Sequence, residues 1–485
     1  MSRVALSCVA LASVVVAGSA SAAPPKIQQH RCENGLTVLV VESHAVPLIT
    51  VEIAAKNGSM TESPEFNGLS HLYEHMFFKA NKALPNQEAY MGRLQELGIS
   101  FNGTTGTERV NYFFTTTSDH FGDAMVFMRD AIATPIFDAK ELDRERVVVT
   151  GEIDRNEANP YYHFNRAIEQ RLWHKYPTRK DPLGTRKTVL SATVDMMKTI
   201  QKRYYVPNNS VLVVTGDVKA ADVFKQADSL FKDWQKAEDP FKKYPLVKHP
   251  PIKQSEVVVV EQPVRTYTGQ FSYHGPSTVG ENVDLTYAAD LLTVAISEPS
   301  SKFQKALIDS GACVSAGMSW FTQMNTGPIT VSFEATPANI DRCVKAVRDE
   351  LPRMKAKDYL SDEEMQNAAH TIDVQTTKER ERVSAFAHTL TFWWSSAGLD
   401  YYLGYVDKMK KVTRDDIARY LETYVLDKKF VFGSLVSPDM VKGGFDKAHF
   451  EVLAGLKPGA KPAAGKSEPA KSEPAKSTPK AKGAK

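Results

Sequence analysis

The most informative residues of the chain form one short run, His-Leu-Tyr-Glu-His, that begins at position 71. If residues 68 to 78 are helical, each step turns by about 100°, which places His71 and His75 about 40° apart on one face. Glu74 then lies about 60° to the other side of His71. Two imidazoles can therefore reach one metal ion with a carboxylate beside them. Asn67 is the predicted N-cap of this helix.

A third ligand can come from Glu152, which follows His75 by 77 residues. Two neutral imidazoles and one carboxylate leave the fourth tetrahedral position of Zn²⁺ for water, which is the open arrangement of a hydrolytic site. Such a water loses its proton near neutral pH, and Glu74 can accept that proton and pass it to a leaving amine. The pattern predicts one zinc ion per chain and peptide-bond hydrolysis. The alternative is a buried histidine pair beside a surface glutamate.

The order His-x-x-Glu-His is the inverse of the commoner His-Glu-x-x-His and is the signature of the inverzincins. Residues 68 to 79, Gly-Leu-Ser-His-Leu-Tyr-Glu-His-Met-Phe-Phe-Lys, resemble the zinc helix of the insulinase, pitrilysin and mitochondrial processing peptidase family. The likeness is greatest to the bacterial zinc-bearing subunits that resemble the processing peptidase.

In that family the downstream glutamate lies on a second helix, and another glutamate seven residues earlier supports the site. The resemblance assigns these roles to Glu152 as metal ligand and Glu145 as the supporting residue. Residues 147 to 150, Val-Val-Val-Thr, are β-branched and by propensity predict a strand. The second helix is therefore implied by the resemblance alone, and the alternative for Glu145 is a solvated charge.

Residues 101 to 114 are similar to the family's strand that hydrogen-bonds an extended peptide beside the zinc. The matching positions for substrate binding are Asn102, Gly103 and Thr104. Such β-augmentation holds a peptide by main-chain hydrogen bonds, while side-chain pockets select among sequences. The alternative is a hairpin edge with a glycine-rich turn.

The chain departs from the family in residues 300 to 315. Members that work alone carry there an arginine and a tyrosine that bind the substrate and its developing oxyanion, and this stretch contains neither residue type. Loss of one oxyanion donor costs about 2.7 to 4 kcal/mol, or roughly 10² to 10³ in rate. The resemblance then implies a heteromer in which a related partner supplies the pair. The alternatives are a non-catalytic zinc-bearing scaffold and a peptide-binding partner subunit or carrier.

Two halves of the chain repeat each other. Thr193 precedes Tyr204 by 11 residues and Thr413 precedes Tyr424 by 11, so both pairs are related by an offset of 220. A strand-like apolar run follows each pair, and duplication is the economical interpretation.

We therefore expect an N-terminal zinc-binding domain at 34–234 and a homologous domain without the Arg/Tyr pair at 256–450. A proline-punctuated linker at 235–255 joins them. Alternating strand and amphipathic helix patterns predict an α+β fold, and the resemblance implies two α/β-layered domains of one fold that face each other across a cleft.

The two ends of the chain differ in composition from the rest. Residues 1 to 22 contain a short basic region, an apolar run and Ala-Ser-Ala, which predict a cleaved export signal and a periplasmic location. Residues 457 to 485 carry eight Lys against two Glu and repeat Lys-Ser-Glu-Pro-Ala, which predicts a disordered cationic tail. Without this tail the net charge of +3 becomes negative, so we expect no nucleic-acid partner. We also expect no transmembrane span in the mature chain.

Cysteines are few. Cys32, Cys313 and Cys343 remain after removal of the signal, and no Cys-x-x-Cys pair indicates a zinc role. A disulfide between Cys313 and Cys343 is possible, and the sequence leaves it open.

Overall fold

A computed structural model describes residues 26–459, which form two β-sheets surrounded by helices. The strands of the described residues are β1 Ile27–Arg31, β2 Thr37–Glu42, β3 Leu48–Ala55, β4 Ser100–Thr105, β5 Val110–Thr117, β6 Ser210–Gly216, β7 Glu256–Glu261, β8 Tyr267–His274, β9 Ser315–Trp320, β10 Pro328–Ala335 and β11 Val431–Val436.

The helices divide between the two halves of the sequence. Those before the linker are α1 Leu69–Phe77, α2 Gln87–Glu96, α3 Phe121–Ala133, α4 Ala139–Glu157, α5 Pro160–Leu172, α6 Arg186–Leu190, α7 Val194–Tyr204 and α8 Ala220–Leu230, and the short α9 Pro240–Lys243 lies within it. Those after it are α10 Asp284–Ser297, α11 Lys302–Gln304, α12 Ile340–Glu350, α13 Asp362–Glu379, α14 Val383–Ser396, α15 Leu399–Leu403, α16 Tyr405–Met409, α17 Arg414–Tyr424, α18 Pro438–Lys442 and α19 Lys447–Leu453.

The two sheets have the same topology. The first has the order β1-β2-β6-β3-β5-β4 and the second the order β7-β11-β8-β10-β9. Strands β2, β6, β3, β5 and β4 of the first sheet correspond in order to the five strands of the second, and β1 is an additional edge strand. Strand β2 pairs in parallel with β6, and β7 with β11, whereas the other neighbours are antiparallel. The expected α+β fold with two homologous halves is confirmed.

Each sheet is covered by a helix from the other half, on the face opposite the core of its own half. Helix α14 of the second half packs on β3 and β6, and α5 of the first half packs on β11 and β7. Strand β2 shows why both faces must be covered: Val38 and Val40 belong to the main core of the first half, whereas Leu39 and Val41 pack against Phe386 of α14. Alternate residues of a strand point to opposite faces, so a strand covered on both sides is apolar throughout.

Residues 147 to 150, the two cysteines of the second half and the chain ends can be compared with what the sequence predicts. Residues 147 to 150 lie within α4 and are helical, against their β-propensity. Cys313 and Cys343 are joined by a disulfide, with Cα atoms 5.0 Å apart. The export signal and residues 460 to 485 of the tail lie outside the described residues, and no described helix has the length and apolar character that crossing a membrane requires.

Candidate metal centre

Helix α1, which carries the first two histidines, does not begin as the sequence suggests. Its N-cap is Gly68, with a φ of 83°, and not Asn67. The buried carboxylate of Glu62 accepts hydrogen bonds from the backbone N–H groups of Gly68 at 2.8 Å and Ser70 at 2.6 Å, so a distant side chain performs the capping role. Asn67 instead donates its side-chain amide to the carbonyl of Asp181 at 2.9 Å.

The structure brings His71, His75 and Glu152 together. Nε2 of His71 lies 3.3 Å from Nε2 of His75 and 3.4 Å from a carboxylate oxygen of Glu152. The other oxygen of Glu152 lies 3.8 Å from Nε2 of His75. Tetrahedral ligands at about 2.0 to 2.2 Å from zinc lie roughly 3.3 to 3.6 Å from one another. Two of the three separations lie in this range and the third is slightly longer, and the donor types are those that zinc accepts.

Glu145 orients His75 through the ring nitrogen that faces away from this cluster. Nδ1 of His75 lies 2.9 Å from one oxygen of Glu145, and the ammonium of Lys79 lies 2.7 Å from the other oxygen. A carboxylate in this position fixes the tautomer and the orientation of a metal-binding imidazole. In contrast, Nδ1 of His71 is buried and has no hydrogen-bond partner among residues 26–459.

Glu74 is held by a residue of the neighbouring strand. The hydroxyl of Thr105 on β4 donates to Oε2 of Glu74 at 2.6 Å. Gly103 on the same strand leaves the space that Glu74 occupies, because a Cβ there would lie 2.8 Å from Cγ of Glu74. Sequence reasoning missed both Thr105 and Lys79, and the only available signal was the position of Thr105 just after the proposed substrate residues.

Strand β4 forms one edge of the first sheet, as its place in the strand order shows. One side of β4 pairs with β5, with Asn102 opposite Phe113. The predicted substrate residues Asn102 and Thr104 are exposed, while Gly103 is half-buried against Glu74. An edge strand beside a cluster of metal-ligand type can add an extended peptide by main-chain hydrogen bonds.

The electrostatic surroundings differ between the two histidines. Burial lowers the pKa of His71 to about 4, and the neighbouring His75 acts in the same direction. Burial also acts to lower the pKa of His75, but the hydrogen bond to Glu145 and the charges of Glu152 and Glu74 outweigh it and raise this pKa. Burial raises the pKa of Glu74 and the Thr105 hydrogen bond opposes this rise. A neutral His71 is in the form that binds a metal.

The turn that follows β4 is attached to the second half of the chain. The buried carboxylate of Glu108 accepts hydrogen bonds from the backbone N–H groups of Met324 and Asn325, both at 2.8 Å. Arg109 donates to the carbonyl of His388 and to the hydroxyl of Thr391, both at 2.7 Å. The second half thus contacts the hairpin that carries Thr105.

Family comparisons agree with this geometry. The model described as "Insulinase (Peptidase family M16)" matches residues 37–186, and the model described as "Peptidase M16 inactive domain" matches residues 191–372. All three candidate ligands lie in the first of these ranges.

Curated relatives are similar to the chain at low identity. An "Uncharacterized zinc protease" of Rickettsia felis is 24% identical over 356 residues, which cover 73% of this chain and 84% of that protein. A second zinc protease, from Rickettsia bellii, is 27% identical over 208 residues, which cover 43% of this chain and 50% of that protein. The "Probable mitochondrial-processing peptidase subunit beta" of Arabidopsis thaliana is 24% identical over 52% of this chain and 48% of its own length. The chain thus spans about half of the length of two of these relatives.

Solved structures show the same fold. A protease from Helicobacter pylori superposes with a TM-score of 0.76 at 20% identity, over 85% of this chain and all of that one. The first half of the periplasmic protease PqqL from Escherichia coli superposes with a TM-score of 0.72 at 17% identity, over 89% of this chain and 97% of that one.

Proposed function

Because the chain belongs to the insulinase family, peptidase family M16, we propose that it is an exported zinc metalloendopeptidase that cleaves extended peptides or small unfolded proteins. The observation that carries this proposal is that ligand atoms of His71, His75 and Glu152 lie within 4.8 Å of one another. Glu74 lies on the same helix as the two histidines. The zinc proteases among its relatives support the same class of chemistry.

The chain's own residues divide the work of hydrolysis. His71, His75 and Glu152 would hold one zinc ion, which when bound polarises the scissile carbonyl and activates the attacking water. Glu74 would take the proton of that water on Oε1, because Oε2 is engaged by Thr105. The same carboxyl would then pass the proton to the leaving amine. Glu145 keeps the ring of His75 in the orientation that presents Nε2.

The substrate would lie along β4 as an added strand. The main chain of Asn102, Gly103 and Thr104 would hydrogen-bond the peptide without regard to its sequence, which suits extended and unfolded substrates. A folded protein has few unpaired strands to offer to such an edge. The exposure of Asn102 and Thr104 supports this placement.

A partner subunit would complete the site. Residues 300 to 315 contain no Arg or Tyr, and in the fold they include α11 and the turn that leads into β9. The relative from Arabidopsis thaliana is by its own description a subunit. We therefore assign this chain the role of the zinc subunit of a heterodimer, in which a related chain supplies the Arg/Tyr pair.

The second candidate is a zinc-bearing scaffold without catalysis. The match of residues 191–372 to a model described as an inactive domain favours it. Against it stands Glu74, which is present and oriented by Thr105. A periplasmic location depends on residues 1 to 22 and is part of the proposal.

The decisive experiment compares the rates at which an unstructured fluorogenic peptide is hydrolysed by the purified chain alone and by the complex of the chain with its co-purifying partner. We expect the chain alone to fall below the complex by a factor of roughly 10² to 10³, the contribution of an oxyanion donor. Within the complex, Glu74→Gln should abolish cleavage because it removes the proton acceptor.

The zinc content of Glu74→Gln, measured by mass spectrometry of the metal, serves as the control and should equal that of the wild type. Full turnover by the chain alone would exclude the heteromer but leave the peptidase. Cleavage by the Glu74→Gln complex at the wild-type rate, or no cleavage by either form, would favour the scaffold.

A further inference from the structure

A second site of recognisable chemistry lies in the other half of the molecule, between α10 and α13. A cavity of about 230 Å³ is lined there by Asp290 of α10, Glu379 of α13, Trp393 of α14, Tyr402 of α15 and Tyr405 of α16. The α13 residues that face it, at positions 372, 375, 376 and 379, recur at the spacing of one helix face. The packing of these helices against one another therefore forms the cavity.

Asp290 is a carboxylate without a countercharge. Its Oδ2 accepts a hydrogen bond from the hydroxyl of Tyr405 at 2.8 Å, and within residues 26–459 it forms no ion pair with a Lys, Arg or His side chain. Burial raises its pKa to about 7, although the Tyr405 hydrogen bond opposes the rise. Buried carboxylates are ordinarily paired with a cation, because an isolated ionised carboxylate is costly to desolvate.

Three aromatic rings form the adjacent wall. The ring of Trp393 lies 5.4 Å from that of Tyr405 and 5.9 Å from that of Tyr402, centroid to centroid. Trp393 and Tyr402 also pack against the first sheet in the cluster that includes Phe386. The rings are therefore held in place before any ligand arrives, which reduces the entropy cost of binding.

Two side-chain cations contact aromatic rings in this region. The guanidinium of Arg380 lies 5.8 Å from the ring of Tyr402, and the ammonium of Lys408 lies 5.4 Å from the ring of Tyr287. The Lys408 ammonium is 3.3 Å from the hydroxyl of Tyr287. Neither of these two cations forms an ion pair with Asp290 among the described residues.

We propose that the cavity bounded by Asp290, Glu379 and the rings of Trp393, Tyr402 and Tyr405 binds a small organic cation of the alkylammonium type. Aromatic faces attract such cations through their quadrupole, and weakly hydrated quaternary ammonium groups gain most. A cation bound beside Asp290 would stabilise the ionised form of this carboxyl, and the exposed Glu379 supplies a second carboxylate at the rim. The ligand is a free cation or the ammonium end of a peptide side chain.

The test is isothermal titration calorimetry of the purified full chain with choline and with its uncharged isostere, 3,3-dimethyl-1-butanol. Both ligands have the same shape, so a difference between them reports charge. We expect saturable binding of choline and at least about tenfold weaker binding of the isostere. A lysine-containing peptide and the same peptide with acetylated lysine form the second pair, which separates a free cation from a side chain as the source.

Two variants locate the site. Asp290→Asn removes the charge of this side chain and keeps an acceptor for the Tyr405 hydroxyl. Glu379→Gln removes the charge at the exposed rim and serves as the second variant if Asp290→Asn is unstable. Each should weaken choline binding, by about tenfold for Asp290→Asn, and leave the isostere unchanged. Asp373→Asn is the matched control. Asp373 lies on α13 like Glu379, but it pairs with Lys410 at 2.8 Å and does not line the cavity.

Equal binding of choline and its isostere would overturn the proposal, because it would indicate an apolar pocket that ignores charge. Absence of choline binding, or binding that neither Asp290→Asn nor Glu379→Gln changes, would overturn it as well. In those cases Asp290 is a structural acid that shares a hydrogen bond with Tyr405.

Discussion

At the scale of single residues, the candidate metal centre depends on a carboxylate, Glu145, that contacts His75 and is not itself a candidate ligand. Glu145 is bound on both oxygens, by His75 at 2.9 Å and by Lys79 at 2.7 Å. Lys79 compensates the charge of a carboxylate that is largely buried. The pair thus allows a negative charge to lie behind the imidazole, where it increases the basicity of Nε2.

Replacing Glu145 by Gln should weaken zinc binding by about 10 to 100-fold, because the amide no longer stabilises one tautomer of His75. Competition with a chromogenic chelator measures this affinity. Asp143→Asn, on the same helix at an exposed position, should leave the affinity unchanged. Equal affinity in both variants would show that Glu145 does not support the site.

The sequence predicted the site residues that share a local pattern. His71, Glu74 and His75 follow from helical spacing, since all three lie within two turns of one helix. Glu152 came from the family resemblance, because no physical rule relates positions 77 residues apart. Thr105 could not be found, since its hydroxyl reaches Glu74 only through the packing of β4 on α1, which no local pattern encodes.

At the scale of elements, the exchange of covering helices joins the halves. Phe164 and Ile168 of α5 pack on Val431 and Leu435 of the second sheet. Gly433, between those two strand residues, leaves room for α5, because a Cβ there would lie against Cδ1 of Ile168 and 2.9 Å from Cε2 of Phe164. The absence of a side chain at this position sets the closeness of the helix to the sheet.

Gly433→Ala should therefore lower the free energy of unfolding by about 1 to 3 kcal/mol through overpacking. Urea denaturation followed by circular dichroism measures the change. Gly317→Ala on the edge strand β9 is the control, since a Cβ there meets nothing within 4 Å. If both variants were equally stable, α5 would not be seated tightly on this sheet.

Element types were easier to predict than their neighbours. Apolar runs in the sequence indicated strands such as β6 and β11. Residues 147 to 150 have β-propensity but form part of α4, because tertiary packing stabilises this segment as a helix. Val149 is buried in the core while Val147 and Val148 are exposed. The apolar residues of α5 and α14 indicate that each helix packs in the interior, but they do not indicate which sheet each helix covers.

At the scale of the whole molecule, buried histidines lie where the linker meets both halves. The ring of Trp173 contacts His249 at 4.8 Å and stacks on His274 at 4.6 Å. Burial lowers the pKa of His249 to about 3 and that of His274 to about 4, and the charge of Lys180 acts in the same direction. The folded protein therefore keeps both rings neutral in mildly acidic solution.

This arrangement predicts acid sensitivity. An unfolded histidine has a pKa near 6.5, so between about pH 6.5 and pH 4 the unfolded chain binds protons that the folded chain does not. The free energy of unfolding should fall as the pH drops through this window, by up to about 1.4 kcal/mol per pH unit for each group.

Denaturation of metal-free protein at a series of pH values measures the slope, and a chelator removes the contribution of metal binding. His249→Gln should reduce the slope, because it removes one of the groups. His370→Gln at an exposed position is the control and should retain the wild-type slope. An unchanged slope in His249→Gln would contradict this account.

The crossed helices α5 and α14 also constrain how the protein is made. During synthesis the first half emerges before α14 exists. The side chains that α14 covers in the folded protein then have no cover, namely Leu39, Val41, Ala54, Val211 and Val213. Until residues 383–396 arrive, this surface is open to wrong partners and to aggregation. Neither half can therefore complete its packing alone, and the half that carries the candidate metal centre must wait for residues 383–396 of the other half.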